Sequence, residues 1–279
     1  MDKNLSYGSD YKYIPTTSIG SGVGISVLPD IYSYTVQIVN ICFVGNEDHF
    51  VLVDAGMPGS AEEIIATTEE RFGQGSKPKA IILTHGHFDH VGAIVELIKH
   101  WEVPVYAHEL ELPYLTGKKK YPEPDSTVEG GMVAKMSPIF PNEPISLGDN
   151  VEALPSDGTV SQMPGFRWIH TPGHTEGHVS FFRDQDKTLI VGDAFVTVKQ
   201  EYLYKVLTQE KEISGPPRYL TTDWESARKS VQNLQTLTPN VAVTGHGLPM
   251  SGEELSTSLQ VLVNEFDKIA LPDYGKYIN

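Results

Sequence analysis

The chain is poor in cysteine: Cys42 stands alone among 279 residues, so no intrachain disulfide framework can form. It is also poor in positive charge. Against 36 Asp and Glu there are 21 Lys and Arg, a net charge of −15. That balance argues against an extended nucleic-acid surface, which needs many cations facing phosphates. It argues equally against docking to an anionic membrane. No run of 18 apolar residues exists, so no helix is expected to span a bilayer. The first residues lack a basic stretch followed by an apolar one, so no signal peptide is visible and a cytoplasmic location is expected. What the chain has is a 39% apolar content, enough to fill a core, and 10 histidines. One α/β domain over residues 1–279 accommodates this length.

Hydrophobic period and turn chemistry place the elements. Residues 1–30 read as an irregular arm. Runs at 34–44 and 49–53 are rich in β-branched and aromatic residues, and Gly45-Asn46-Glu47-Asp48 between them predicts a hairpin. Ser60-Ala61-Glu62-Glu63 predicts a capping box for a helix carrying Ala61, Ile64, Ile65, Thr68 and Phe72. Strands are predicted at 80–83 and 103–106, with a helix between them facing inward through Val91, Ile94, Val95 and Ile98. Further strands are expected at 151–154, 166–169, 178–182, 189–191 and 241–243, and helices after Thr222 and Ser251. Residues 116–143 hold Lys118-Lys119-Lys120, four prolines and the Gly130-Gly131 pair, and 195–222 are similarly irregular. Both are candidate substrate loops, with a solvated excursion as the alternative for 116–143. Lys118 to Lys120 read as a solvated charge run, and Tyr202 and Tyr204 as residues within possible reach of a substrate.

Four short apolar runs end next to an acidic or imidazole side chain: Val53 before Asp54, Thr84 before His85, Gly192 before Asp193, and Gly245 before His246. A buried strand cannot carry a charge in its middle, but its end can present one to a site. The densest group is His85-Gly86-His87-Phe88-Asp89-His90, three imidazoles and a carboxylate within six residues. Such donors suit zinc, and also iron or manganese. A Pro172-Gly173 turn projects His174, while His178 reads as structural or as a support for another ligand. His49, His100, His108 and His170 lack a partner motif and read as surface or packing residues. Cys42 reads as core.

These residues resemble the metallo-β-lactamase superfamily of binuclear metallohydrolases. Its His-x-His-x-Asp-His motif is matched by His85, His87, Asp89 and His90, its later ligands by His174, Asp193 and His246, and its early Asp-x-Gly by Asp54-Ala55-Gly56. The resemblance implies a four-layer αββα sandwich. It implies a first divalent metal held by His85, His87 and His174, a second held by Asp89, His90 and His246, and Asp193 bridging them. Zinc is the expected metal, with manganese or iron as alternatives. A metal-bridged hydroxide would attack the substrate, and Asp89 would serve catalysis by orienting water or relaying a proton. The bridging Asp193 is similar to the glyoxalase II-like and lactonase-like branches. Glyoxalase II itself binds glutathione through basic residues after the last histidine; here only Lys268 and Lys276 follow His246.

The expected function is therefore hydrolysis of a small ester, lactone or thioester, with a small molecule as substrate, neither nucleic acid nor membrane as partner, and the oligomeric state left open. Two alternatives remain open. One is an iron-dependent oxygenase similar to persulfide dioxygenases, which uses only the first metal site. The other is a metal-stabilised binding protein. Metal content separates the three.

Overall fold

Strands and helices account for most of the chain in a computed structural model, which describes residues 5–278. The signal-peptide expectation falls partly on residues 1–4, outside the described residues. The chain divides into two compact units. The first comprises 5–17, 21–121 and 141–164; the second comprises 18–20, 122–140 and 165–278.

The first unit is built on a seven-stranded sheet in sequential order: β1 (Gly24–Leu28), β2 (Ile31–Val36), β3 (Val39–Gly45), β4 (Phe50–Val53), β5 (Ile81–Ile82), β6 (Val105–Ala107) and β7 (Val151–Ala153). The first four strands pair antiparallel through short turns. From β4 onward the pairing is parallel, which requires the longer crossover connections found between these strands. Helix α1 (Ala61–Phe72) turns Ile64, Thr68 and Phe72 inward, and the Phe72 ring stacks on Phe50 of β4 at 3.8 Å. Helix α2 (Ile94–Trp101) buries Ile94, Val95, Leu97, Ile98 and Trp101, and α3 (Leu112–Leu115) is a single turn.

The second unit carries a five-stranded sheet in the order β12-β11-β10-β9-β8: β8 (Phe166–His170), β9 (Val179–Arg183), β10 (Thr188–Gly192), β11 (Val241–Thr244) and β12 (Met250–Ser251). Helices α4 (Met132–Met136) and α5 (Leu203–Thr208) are short. Helices α6 (Trp224–Thr236), α7 (Gly252–Asn264) and α8 (Phe266–Ile269) share a core with Phe182, Leu189 and Val191 of the sheet. That core takes Trp224, Val231 and Leu234 from α6 and Leu255, Leu259 and Leu262 from α7. Each such side chain contributes about 1.5–3 kcal/mol when fully buried.

The structure departs from the sequence reading at several points. The single strand expected over 34–44 is two strands, because the chain reverses at Gln37 and Ile38. Gln37 takes a left-handed φ of 57° and is held by its side-chain amide on the Ile14 carbonyl. The arm over 1–30 contains β1, whose residues are only partly buried and so lack a clean alternation. The predicted capping box of α1 does not form: Ser60 Oγ donates to the Met57 carbonyl instead. Helix α6, by contrast, is capped by the Asp223 side chain, which accepts from the Ser226 N–H. Both candidate loops contain helix. Residues 128–134 and 219–220 form a small apolar cluster of Val128, Val133, Ala134, Tyr219 and Leu220, so that part of the 116–143 tract is packed rather than solvated. Lys119 lies over the Tyr114 ring and Lys120 pairs with Glu143 at 3.3 Å. Among the described residues no helix is long and apolar enough to cross a membrane.

Candidate metal centre

In each sheet the predicted strand ends lie on neighbouring parallel strands. Strands β4 and β5, leading to Asp54 and His85, pair directly, with Val53 opposite Ile82. Strands β10 and β11, leading to Asp193 and His246, pair likewise, and the Gly245 N–H donates to the Gly192 carbonyl at 2.8 Å. Parallel neighbours end on the same edge of their sheet, so polar residues far apart in sequence meet there.

The loop after β5 carries the first donor set. His85, His87, Asp89 and His90 are all buried. The rings of His85 and His87 lie 4.7 Å apart, and those of His85 and His90 lie 4.2 Å apart. The loop is fastened to the turn after β4 by three backbone bonds: Ala55 N–H to His90 O, Gly92 N–H to Gly56 O, and Ala93 N–H to Ala55 O. Gly92 is required by that closeness, since a Cβ there would fall 2.2 Å from the backbone of Met57 and Pro58.

Asp54 organises this set. Its φ of 62° is left-handed, a conformation that costs free energy in a non-glycine residue and aims the carboxylate at the loop. Oδ1 accepts from the Thr84 N–H, and Oδ2 accepts both from the Thr84 hydroxyl and from His90 Nδ1, each at 2.8 Å. The Thr84 hydroxyl spends its proton on Asp54, so toward His85 Nδ1, 3.1 Å away, it is an acceptor. Both imidazoles are thereby fixed with hydrogen on Nδ1 and the lone pair on Nε2, the form that ligates a metal.

In the second unit the donors come from three places. His174 Nδ1 lies 3.0 Å from Thr221 Oγ1, whose proton goes to the Pro217 carbonyl, so His174 too presents Nε2. Asp193 Oδ2 sits 3.5 Å from His174 Nε2 and 3.3 Å from His246 Nε2. One carboxylate between two imidazoles is a geometry suited to bridging. All three side chains are buried. His178, expected as structural or as a support, accepts the Asp193 N–H on Nε2 at 2.9 Å and pairs through Nδ1 with Thr171. It fixes the backbone of Asp193.

Some supports were not foreseen. Glu111, fully buried, accepts from the Gly86 N–H at 3.0 Å and from the Tyr121 hydroxyl. The Tyr121 ring packs on His87 at 4.6 Å and stacks on Tyr114 at 4.0 Å. Burial, and then the charge of Glu111, push the Tyr121 phenol well above its ordinary pKa, so it stays a hydrogen-bond donor. A lone Glu and a Tyr at the edge of a lysine and proline tract carry no motif, and neither do Thr84 and Thr221. Of the other histidines, His108 is buried, while His49 and His170 bond the backbone at the surface. Tyr202 and Tyr204 are exposed.

Comparison with known proteins gives these donors a family. Residues 34–246 match the metallo-beta-lactamase superfamily, well over half of the chain. The chain belongs to that superfamily. It is 48% identical over 260 residues to the probable metallo-hydrolase YflN of Bacillus subtilis, covering 92% of this chain and 98% of that one. It is 29% identical over 150 residues to the hydroxyacylglutathione hydrolase GloC of Haemophilus influenzae, covering 53% and 62%. The solved structure of TTHA1623 in a di-iron-bound form superposes with a TM-score of 0.52 at 25% identity, over 87% of this chain and 98% of that one. The mixed α/β architecture with two sheets is thus the metallo-β-lactamase fold, as the motifs imply. Membership makes the chain an enzyme of the metallo-hydrolase superfamily, and its buried His and Asp clusters are of the kind that hold divalent cations.

Proposed function

We propose that the protein is a binuclear metallohydrolase of small esters, lactones or thioesters. In this reading His85, His87 and His174 would hold one divalent cation, Asp89, His90 and His246 would hold the second, and Asp193 would be shared between them. The observation that carries it is the control of protonation. His85, His90 and His174 each have Nδ1 engaged by an oxygen, which leaves Nε2 as the donor. A polar loop of chance histidines has no reason to fix three tautomers alike. Imidazole and carboxylate donors fit zinc, manganese or iron. Bound cations of this kind polarise a carbonyl and lower the pKa of water to about 7.

The chain's own residues do the rest. Asp54 holds His90 and, through Thr84, His85. Thr221 orients His174. His178 anchors the peptide of Asp193. Asp89 is the carboxylate suited to orient water and pass a proton to the leaving group. The relative named as a hydroxyacylglutathione hydrolase and the di-iron neighbour support an acyl substrate and a two-metal centre. A cytoplasmic setting and a small-molecule substrate belong to the same proposal.

Metal analysis of the purified chain, joined to a rate screen over lactones, thioesters, phosphodiesters and β-lactams, tests it. Two zinc or manganese per chain with acyl-bond cleavage is the expected result. One iron with oxygen consumption would replace this reading by the oxygenase.

A further inference from the structure

The peptide between Pro217 and Arg218 is held from two sides, and one side leads to His174. Its carbonyl accepts from the Thr221 hydroxyl at 2.8 Å, and Thr221 Oγ1 lies 3.0 Å from His174 Nδ1. Its N–H donates to Glu201 Oε1 at 3.0 Å. A peptide is planar, so the direction of the N–H fixes the direction of the C=O. The acceptor offered by Glu201 therefore aims the carbonyl that takes the Thr221 proton. With that proton spent, the Thr221 hydroxyl can only accept from His174. All of these residues belong to the second unit.

Packing alone does not account for an acid at position 201. Glu201 is 1% exposed, and its second oxygen, Oε2, is buried without a hydrogen-bond partner. Burying a carboxylate costs free energy that an apolar side chain of the same length would not. What the carboxylate supplies is an acceptor for the Arg218 N–H, which would otherwise be orphaned. The chain around Glu201 leaves its stem little freedom. A Cβ on Gly130 would fall 3.0 Å from Glu201 Cβ and Cγ, and one on Gly131 would fall 2.4 Å from the Glu201 carbonyl oxygen.

The rest of the segment is fastened as well. The buried Arg218 guanidinium donates to the carbonyls of Ile269 and Ala270, at 3.1 and 2.9 Å, and to the Glu129 carboxylate at 3.2 Å. Beyond Thr221, the N–H groups of Thr222 and Asp223 donate to the Gly173 carbonyl, at 3.3 and 3.1 Å. Residues 217–223 are thus tied at both ends, with Thr221 between the ties and His174 beside it.

We propose that Glu201 is a positioning residue for His174. By holding the Pro217–Arg218 peptide it sets the Thr221 hydroxyl, and through that hydroxyl it keeps hydrogen on Nδ1 of His174 and the lone pair on Nε2. The inference rests on the reading of His174 as a metal ligand. It extends the support of that ligand to a residue outside every metal-binding motif.

The test uses the full chain in two variants. Glu201→Met keeps the length of the side chain and loses the acceptor; Glu201→Gln keeps an acceptor oxygen. The probe is cobalt(II), whose affinity is measured by titration. The His174 tautomer is read before cobalt is added, by nitrogen–proton correlation NMR, and melting temperature is measured on each form. Loss of one hydrogen bond corresponds to roughly a three- to tenfold effect. Glu201→Met should lower cobalt affinity by about that factor and populate the Nε2–H form of His174. Glu201→Gln should match wild type in both. Because Glu201 acts through Thr221, Glu201→Met should add little to the loss in Thr221→Val, whereas independent residues add. A lower melting temperature in Glu201→Met with tautomer and affinity unchanged overturns the proposal. So do additive losses with Thr221→Val, or a Glu201→Gln as damaged as Glu201→Met. If Glu201→Met does not fold, Glu201→Gln decides: wild-type tautomer and affinity uphold the acceptor role, and a loss in either overturns it. If wild type binds no cobalt, the metal reading fails, and the tautomer still decides Glu201.

Discussion

The loop at 85–90 and the separate segments carrying His174, Asp193 and His246 present the same donor chemistry from opposite local architectures. In the first unit four donors share one loop, and a single carboxylate, Asp54, reaches both His85 and His90. In the second unit each donor sits on its own segment, and two of the three have separate supports: Thr221 for His174 and His178 for the Asp193 backbone. The first arrangement concentrates its support and the second distributes it. One lost support in the loop should therefore disturb two ligands, whereas one lost support among the separate segments should disturb one.

The largest effect is expected from removing a ligand on either side. His85→Ala and His174→Ala should each lose metal and nearly all turnover, more than the roughly 100-fold that outer partners cost, while the fold persists. Metal analysis and circular dichroism check this, and full metal content in either variant would end the assignment. Asp193→Ala comes next. Without a carboxylate offsetting two dications held about 3.5–4 Å apart, titration should show the weaker site failing first. Unchanged affinity at both sites would remove the bridging role.

The comparison itself is tested by the supports. Asp54→Asn and Thr221→Val should each weaken metal binding about 10- to 100-fold, with Asp54→Asn at the upper end because it frees two imidazoles. Equal losses would mean the loop does not depend on Asp54 as a shared anchor.

The smallest effect concerns acid. Burial pushes the Asp125 carboxyl upward, but the Thr127 hydroxyl and the backbone N–H groups of Lys276, Thr127 and Val128 outweigh it and hold the group below the usual range. A depressed carboxylate adds stability above its ordinary pKa of about 3.9, and that stability is lost as pH falls through the folded value. Below about pH 4, amide exchange in residues 272–278 should quicken. Asp125→Asn should show the faster exchange already at neutral pH and lose the acid step.

How much of this was legible follows from locality. The His85 to His90 motif lies within one loop, and its spacing alone announced metal chemistry. Asp193 and His246 were legible because each ends a buried apolar run, His174 because a Pro172-Gly173 turn projects it, and all three because they fit a family order. Asp54 was visible as a motif, but not its left-handed backbone or its hold on two histidines. The turn at Gln37 was missed because tertiary hydrogen bonds, rather than Gly or Asn, stabilise it. The Ser60 capping box was overcalled because the hydroxyl found a nearer carbonyl.

By itself the sequence determined the α/β class, the donor inventory and the superfamily. Those rest on residue type, period and spacing, which are properties of a linear string. The tertiary structure decided which nitrogen of His85, His90 and His174 is offered, that Glu111 and Tyr121 brace Gly86 and His87, and that Tyr7 ties the N-terminal stretch to α2. Each of these depends on hydrogen bonds and ring contacts between residues ten to nearly ninety positions apart, brought together only when apolar burial orders the sheet and its loops.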